Sequence, residues 1–215
     1  PKKDMVRYIQ DTEHYSEVIA RMAKARRSLW IATADLKDLY VRTSAKDPIP
    51  FLEVLSRLVQ RGVEVRLLHA KEPGQPFRED FDKYPALWGG MERHLCPRVH
   101  AKIVAIDSEW VYIGSANMTG AGMGMKSAQN RNFEAGILTD EPTLIDTAMA
   151  HYDAIFCGSF CTIIAKLYLL SIHTPSNPTE WRVPSVPNRY TKTADHAPVR
   201  LRYVPCRGYD VHIHV

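Results

Sequence analysis

Nowhere in its 215 residues does the sequence hold an uninterrupted apolar run of the ~18 residues that a membrane helix needs. The nearest approach, Phe160 to Ile172, is shorter and carries Lys166. The opening Pro1-Lys2-Lys3-Asp4 leads into no export-signal core, so the expected location is cytoplasmic. Cysteine is scarce as well. Cys96, Cys157, Cys161 and Cys206 would face a reducing compartment, which disfavours disulfides and leaves thiols or metal ligands. Paired C-x2-C spacing is missing, although Cys157 and Cys161 lie one helical turn apart. A structural zinc on these four sulfurs and buried free thiols both stay open. A large charge imbalance is also absent: the formal net charge of +4 permits an anionic partner but excludes a dedicated nucleic-acid packaging protein.

What the chain does have is enough apolar residue to fold. A 45% hydrophobic and 24% charged composition is that of a globular domain with a core. Tyr15, Val18, Ile19 and Met22 recur at helical spacing over 12–27, with Thr12 as a candidate cap. Ser28 to Thr33 reads as a buried strand, and a second amphipathic helix runs from Pro48 to Gly62. Val63 to Leu68 is the next strand. This β-α-β order predicts a crossover, hence an α/β fold with a mixed β-sheet flanked by helices. Residues 70–90 carry Pro73, Gly74, Pro76 and Pro85 and read as a loop around a short helix. Arg98 to Ile106 and Glu109 to Gly114 form a hairpin turning at Asp107-Ser108; a glycine-rich turn, a strand over 132–138 and a helix over 141–156 follow. Prolines crowd the sequence after about His173, where six Lys or Arg face three Asp or Glu. A domain over 1–172 with a proline-rich C-terminal extension over 173–215 is the expected organisation; Val199 to Val204 and Asp210 to Val215 could add edge strands.

The stretch His100 to Asn117 carries the chemistry. His100 and Lys102, two apart on a strand, share a face, so an imidazole and an ammonium project together. Gly114, Ser115 and Asn117 end the returning strand and come back beside them, where backbone N–H, hydroxyl and carboxamide groups suit an anion. An isolated H-x-K would usually be surface decoration. Here it is followed by Asp107 and the glycine–serine–asparagine group at fixed gaps.

These residues resemble the phospholipase D superfamily, whose pattern H-x-K-x4-D-x6-G-S-x-N is matched at His100, Lys102, Asp107, Gly114, Ser115 and Asn117. The likeness reaches Glu134, where related nucleases carry a glutamate that contacts the catalytic histidine. The resemblance implies a phospholipase D-like fold and a metal-independent two-step displacement in which one histidine attacks phosphorus and a second protonates the leaving oxygen. No catalytic cofactor is then required. His14, His69 and His94 are not followed by Lys two residues on. With one motif in the chain, the resemblance implies a homodimer that shares its active site. Glu134 is the candidate partner for the second nitrogen of His100, with Asp107 the weaker candidate. Lys102 and Asn117 would hold the phosphoryl group, and Ser115 either donates to it or merely ends its strand.

Secondary candidates are Lys126 and Arg131, which flank the motif and suit phosphate contact, as does the glycine-rich segment 120–124. Arg21, Lys24, Arg26 and Arg27 cluster on the predicted helix end, where charge–dipole attraction explains them. The expected activity is an endonuclease cutting DNA or RNA, since the positive charge suits a polyanion. A phospholipase D or phosphatidyl transferase, and a non-catalytic nucleic-acid-binding module, are the alternatives.

Overall fold

A computed structural model describes residues 5–37, 39–42, 47–71 and 74–158. The chain divides into two compact units, Pro1–Phe156 and Cys157–Val215. All but two residues of the second unit, including the expected 172/173 boundary and the candidate edge strands, lie outside the described residues.

The first unit is built on a seven-stranded mixed sheet. In chain order its strands are β1 (Val6–Gln10), β2 (Ser28–Thr33), β6 (Glu64–His69), β7 (Met91–Leu95), β8 (Lys102–Ile106), β9 (Trp110–Gly114) and β11 (Ala135–Thr139), arranged in space as β1-β11-β9-β8-β2-β6-β7. Two short pairs accompany them: β3 (Leu36–Lys37) with β10 (Met118–Thr119), and β4 (Tyr40–Val41) with β5 (Ile49–Pro50). The expected crossover is present, because β2 and β6 run parallel, Ser28 beside Glu64 and Thr33 beside His69, with α2 (Phe51–Gln60) between them in sequence.

Alternation along the central strands explains the layers. Leu29, Ile31, Val65, Leu67, Val104 and Ile106 enter one core, shared with Leu55 and Leu58 of α2. The intervening Ala32, Leu68, Ile103 and Ala105 enter a second core on the opposite face, under Ile145, Ala148 and Tyr152 of α5 (Pro142–Phe156). Leu55, Leu58 and Leu67 are fully buried, so truncating any of them to Ala should cost about 2–5 kcal/mol.

Several boundaries differ from those expected. The first helix begins as a π-helical stretch, His14–Ile19, and continues as one α-turn, α1 (Ala20–Met22); Thr12 contributes its carbonyl to Tyr15 and Ser16 and no side-chain cap is formed. Residues 74–90 contain two short helices, α3 (Gln75–Asp82) and α4 (Ala86–Gly90), and lead into β7, an edge strand. Among the described residues no helix is long and apolar enough to cross a membrane.

Candidate active site

Strand direction brings His100, Lys102, Gly114, Ser115 and Asn117 to one end of the sheet. At that end β2 and β6 finish, β8 begins and β9 finishes, with Lys102 directly opposite Gly114 and Ala32 opposite Ile103. His100 lies two residues before β8 and is exposed, whereas Lys102 is 6% exposed. The Lys102 ammonium donates to the His100 carbonyl at 2.7 Å and lies 3.2 Å from both ring nitrogens of the same residue. Imidazole and ammonium thus project together, as their spacing predicts. Burial pushes the Lys102 ammonium below the ordinary lysine range, and the negative charge of Glu134 partly opposes this.

Asn117 is fixed from across the site. Its side-chain oxygen accepts from the backbone N–H of Ala34 at 3.1 Å and from the Thr33 hydroxyl at 3.4 Å. With the oxygen engaged at the end of β2, the NH2 group is the part of the carboxamide available to an anion. The Thr33 hydroxyl also accepts from the N–H of Met118 at 3.0 Å, which ties the residue after Asn117 to the same strand end.

Ser115 and Glu134 form a pair. The Ser115 hydroxyl donates to Glu134 Oε2, while Asn132 donates to Oε1 at 2.9 Å. Ser115 Oγ also accepts from Ala135 N–H at 3.1 Å. The serine therefore stitches β9 to β11 and spends its proton on the glutamate. Glu134 itself is seated by Asp11, a residue with φ of 45°: Asp11 N–H donates to the Glu134 carbonyl at 3.0 Å and Glu134 N–H donates to Asp11 Oδ1 at 3.2 Å. Among the hydrogen bonds of the described residues, His100 engages Lys102 and Glu134 engages Ser115 and Asn132; no bond joins His100 to Glu134 within the chain.

Beneath these groups lies Tyr112 of β9, fully buried. Its hydroxyl accepts from the Ala116 N–H at 3.2 Å, between Ser115 and Asn117. The ring occupies the space that side chains would fill on two neighbouring strands: a Cβ on Gly114 would lie 2.2 Å from the Tyr112 hydroxyl, and one on Gly136 would lie 2.4 Å from its ring. Gly114 thus makes room for the tyrosine rather than for substrate. Burial pushes the Tyr112 phenol far above its ordinary value. A paired G-x21-G with a tyrosine two residues before the first glycine is a signal that could have found this role.

Asp107 requires a correction. It sits at the far end of β8 from His100, where Asp107 and Ser108, with φ of 58° and 54°, turn the hairpin. Its carboxylate accepts the backbone N–H groups of Arg26, Arg27 and Ser28 at 2.7–3.1 Å. Burial pushes this carboxyl up, but the N–H groups of Arg27, Ser28 and Arg26 and the Arg27 charge outweigh that and hold it below the usual range. Asp107 closes the turn into β2 and cannot orient His100.

The remaining candidates are more peripheral. Lys126 is exposed and Arg131 half-buried in the loop between β10 and β11. In the glycine-rich turn, the Gly122 amide is committed to Thr119 Oγ1 at 2.9 Å, which removes it from phosphate binding. Cys96 is a buried free thiol, and Cys157 is disulfide-bonded. The second observation corrects the expectation of thiols or thiolate ligands, since a sulfur in a disulfide has no thiolate to offer a metal. Cys161 and Cys206 lie outside the described residues.

Comparison with known proteins identifies the family and the fold. The family described as "Cardiolipin synthase, PLD-like domain" matches residues 18–157. No curated protein matches the chain. Among solved structures, NucT from Helicobacter pylori shares the fold with a TM-score of 0.53 and 18% identity, over 70% of this chain and 94% of that one. The phosphatidylserine synthase of Haemophilus influenzae Rd KW20 gives 0.52 and 13%, over 74% of this chain and 39% of that one. Nuc from Salmonella typhimurium, a phospholipase D family member, gives 0.49 and 17%, over 70% and 92%. With an imidazole, a buried ammonium and an anchored carboxamide at one end of a mixed sheet, and with the family match over 18–157, the chain belongs to the phospholipase D-like family.

Proposed function

We propose that the protein is a metal-independent phosphodiesterase that cleaves nucleic acid through a phosphohistidine on His100, at a site completed by a second copy of the chain. The observation that carries this reading is the His100–Lys102 pair, 3.2 Å apart, at the strand ends where the Ala34 N–H holds the side-chain oxygen of Asn117. In the first step a His100 nitrogen bonds to phosphorus as the ester oxygen leaves with a proton from a second imidazole. In the second step water attacks phosphorus, gives its proton to that imidazole, and the P–N bond breaks. Lys102 and Asn117 neutralise and orient the equatorial oxygens. Glu134 is the candidate carboxylate for the histidine's other nitrogen in the assembled site.

The motif occurs once in the chain, so the second imidazole is assigned to another copy. An apolar surface next to the site supports this assembly. On the face that α5 packs against, the row Tyr8, Ile137, Ile113 crosses β1, β11 and β9, and Tyr8 and Ile113 are exposed. Phe133, next to Glu134, is 94% exposed, and it lines with Tyr8 and Ser115 a shallow cleft of about 330 Å³. A second reading, phosphatidyl transfer to or from a lipid headgroup, is favoured by the likeness to the phosphatidylserine synthase. Incubation of the purified protein with labelled single- and double-stranded DNA, RNA and phosphatidylcholine in excess chelator tests both readings. Cleavage of oligonucleotides alone supports the first, and release of choline or headgroup exchange alone supports the second.

A further inference from the structure

We propose that Lys37 and Lys71, held on either side of Asp35 at the end of β2, form a second phosphate subsite that takes the backbone phosphate next to the scissile one on a nucleic-acid strand. The inference rests on the reading of the site as a phosphodiesterase acting on nucleic acid.

Position comes first. Ala34, whose N–H holds Asn117 at 3.1 Å, is followed directly by Asp35, and consecutive Cα atoms are only about 3.8 Å apart. Asp35 therefore stands beside the catalytic carboxamide, at the carboxyl ends of parallel strands β2 and β6, where ligands of open α/β sheets bind. Its two oxygens are divided between the lysines: Lys37 approaches Oδ2 and Lys71 approaches Oδ1, both at 3.3 Å.

Neither lysine hangs from a free loop. Lys37 pairs in β3 with Thr119 of β10, two residues beyond Asn117. The Lys71 carbonyl accepts a hydrogen bond at 2.7 Å from Nδ1 of His69, a residue 1% exposed. Arg93 donates to the other ring nitrogen of His69 at 2.8 Å. Both ring nitrogens of His69 are thus engaged, and the buried ring helps to fix the backbone of Lys71.

Exchange of the carboxylate for a phosphate is energetically cheap. The lysine side chains are 60% and 63% exposed, and ion pairs in such a setting are weak and screened by salt. Each ammonium has three N–H donors and commits one of them to Asp35, which leaves two cations converging on a point beside the reaction centre with a net charge of +1. Asp35 limits how tightly this point holds a polyanion, which favours release of product.

The test is binding of a fluorescent single-stranded oligonucleotide, read by anisotropy across a salt series, in a His100→Asn background that prevents cleavage. Replacing both lysines (K37Q/K71Q) should weaken binding about fivefold at ~0.1 M salt and flatten the log–log salt dependence by about 0.7, the contribution of one phosphate contact on a single strand. D35N should act in the opposite direction and tighten binding. The control K24Q/R61Q removes the same charge at the opposite end of the sheet, just before β2 and β6. Equal weakening by the control, an unchanged K37Q/K71Q with native circular dichroism, or a D35N that fails to tighten binding would overturn the subsite, as would loss of binding confined to phosphatidylglycerol vesicles. Cleavage by the parent protein is assayed separately: binding that behaves as stated without any cleavage sinks the phosphodiesterase reading and keeps Lys37 and Lys71 only as a phosphate-binding point with no scissile phosphate beside it, whereas a parent protein that binds no oligonucleotide even at low salt overturns both.

Discussion

The hydroxyl of Tyr112 accepts the backbone N–H of Ala116 at 3.2 Å, and so a buried side chain on β9 holds the chain between Ser115 and Asn117 from below. Removing that oxygen leaves a buried N–H without its partner, a loss of about 1–3 kcal/mol. Tyr112→Phe should keep the fold, lower kcat more than it raises KM, and lower the melting temperature. Steady-state kinetics with a thermal melt check this; a variant with normal kcat and only a lower melting temperature would reduce the tyrosine to packing.

Lys102 trades stability for chemistry. Its folded pKa is lowered by burial, so the native state holds this proton less well than the unfolded chain does. The unfavourable contribution is then full below the folded value and is relieved as pH rises toward the unfolded value of 10.5. Lys102→Met should therefore abolish turnover while raising the melting temperature at neutral pH, with the gain shrinking on the alkaline side. A melting temperature that falls instead would show that the ammonium's bonds to His100 are worth more than its desolvation.

Asp107 should behave in the opposite way. Its carboxyl is held below the usual value, so its contribution is present above the unfolded value of 3.8 and is lost as pH falls through the lower folded value. Asp107→Ala strips the Arg26, Arg27 and Ser28 amides of their acceptor and should destabilise by about 1–3 kcal/mol, with kcat per folded molecule unchanged. Denaturant melts at pH 7 and pH 3 read the effect, which should be larger at pH 7. A kcat loss with native stability would return this residue to the site.

Sequence periodicity revealed the crossover and the hairpin because β2, α2, β6, β8 and β9 bury strongly patterned faces. It missed β7, whose Met91-Glu92-Arg93-His94-Leu95 alternates little and forms a strand only because β6 offers a parallel edge. It also missed β1, which closes the other edge against β11, and the two-residue pairing of β3 with β10. These are long-range pairings, and local pattern carries no trace of the partner. His100, Lys102 and Asn117 were legible because the fixed spacing of the motif places them together, although the expected strand Arg98 to Ile106 begins only at Lys102 and leaves His100 before it. Asp107 was misread because its spacing in the motif says that the hairpin needs it, not at which end of the strand it works. Tyr112 and Asp11 act on the site through backbone groups, which residue type alone does not announce.

Cleavage of a labelled oligonucleotide in excess EDTA by the wild type and by His100→Asn tests the central claim most directly. The account predicts steady turnover by the wild type under chelation, and in the folded variant a residual rate below about one per cent, as the covalent step is lost. Full activity in the variant, or a wild type that is silenced by EDTA and restored by magnesium, would contradict it.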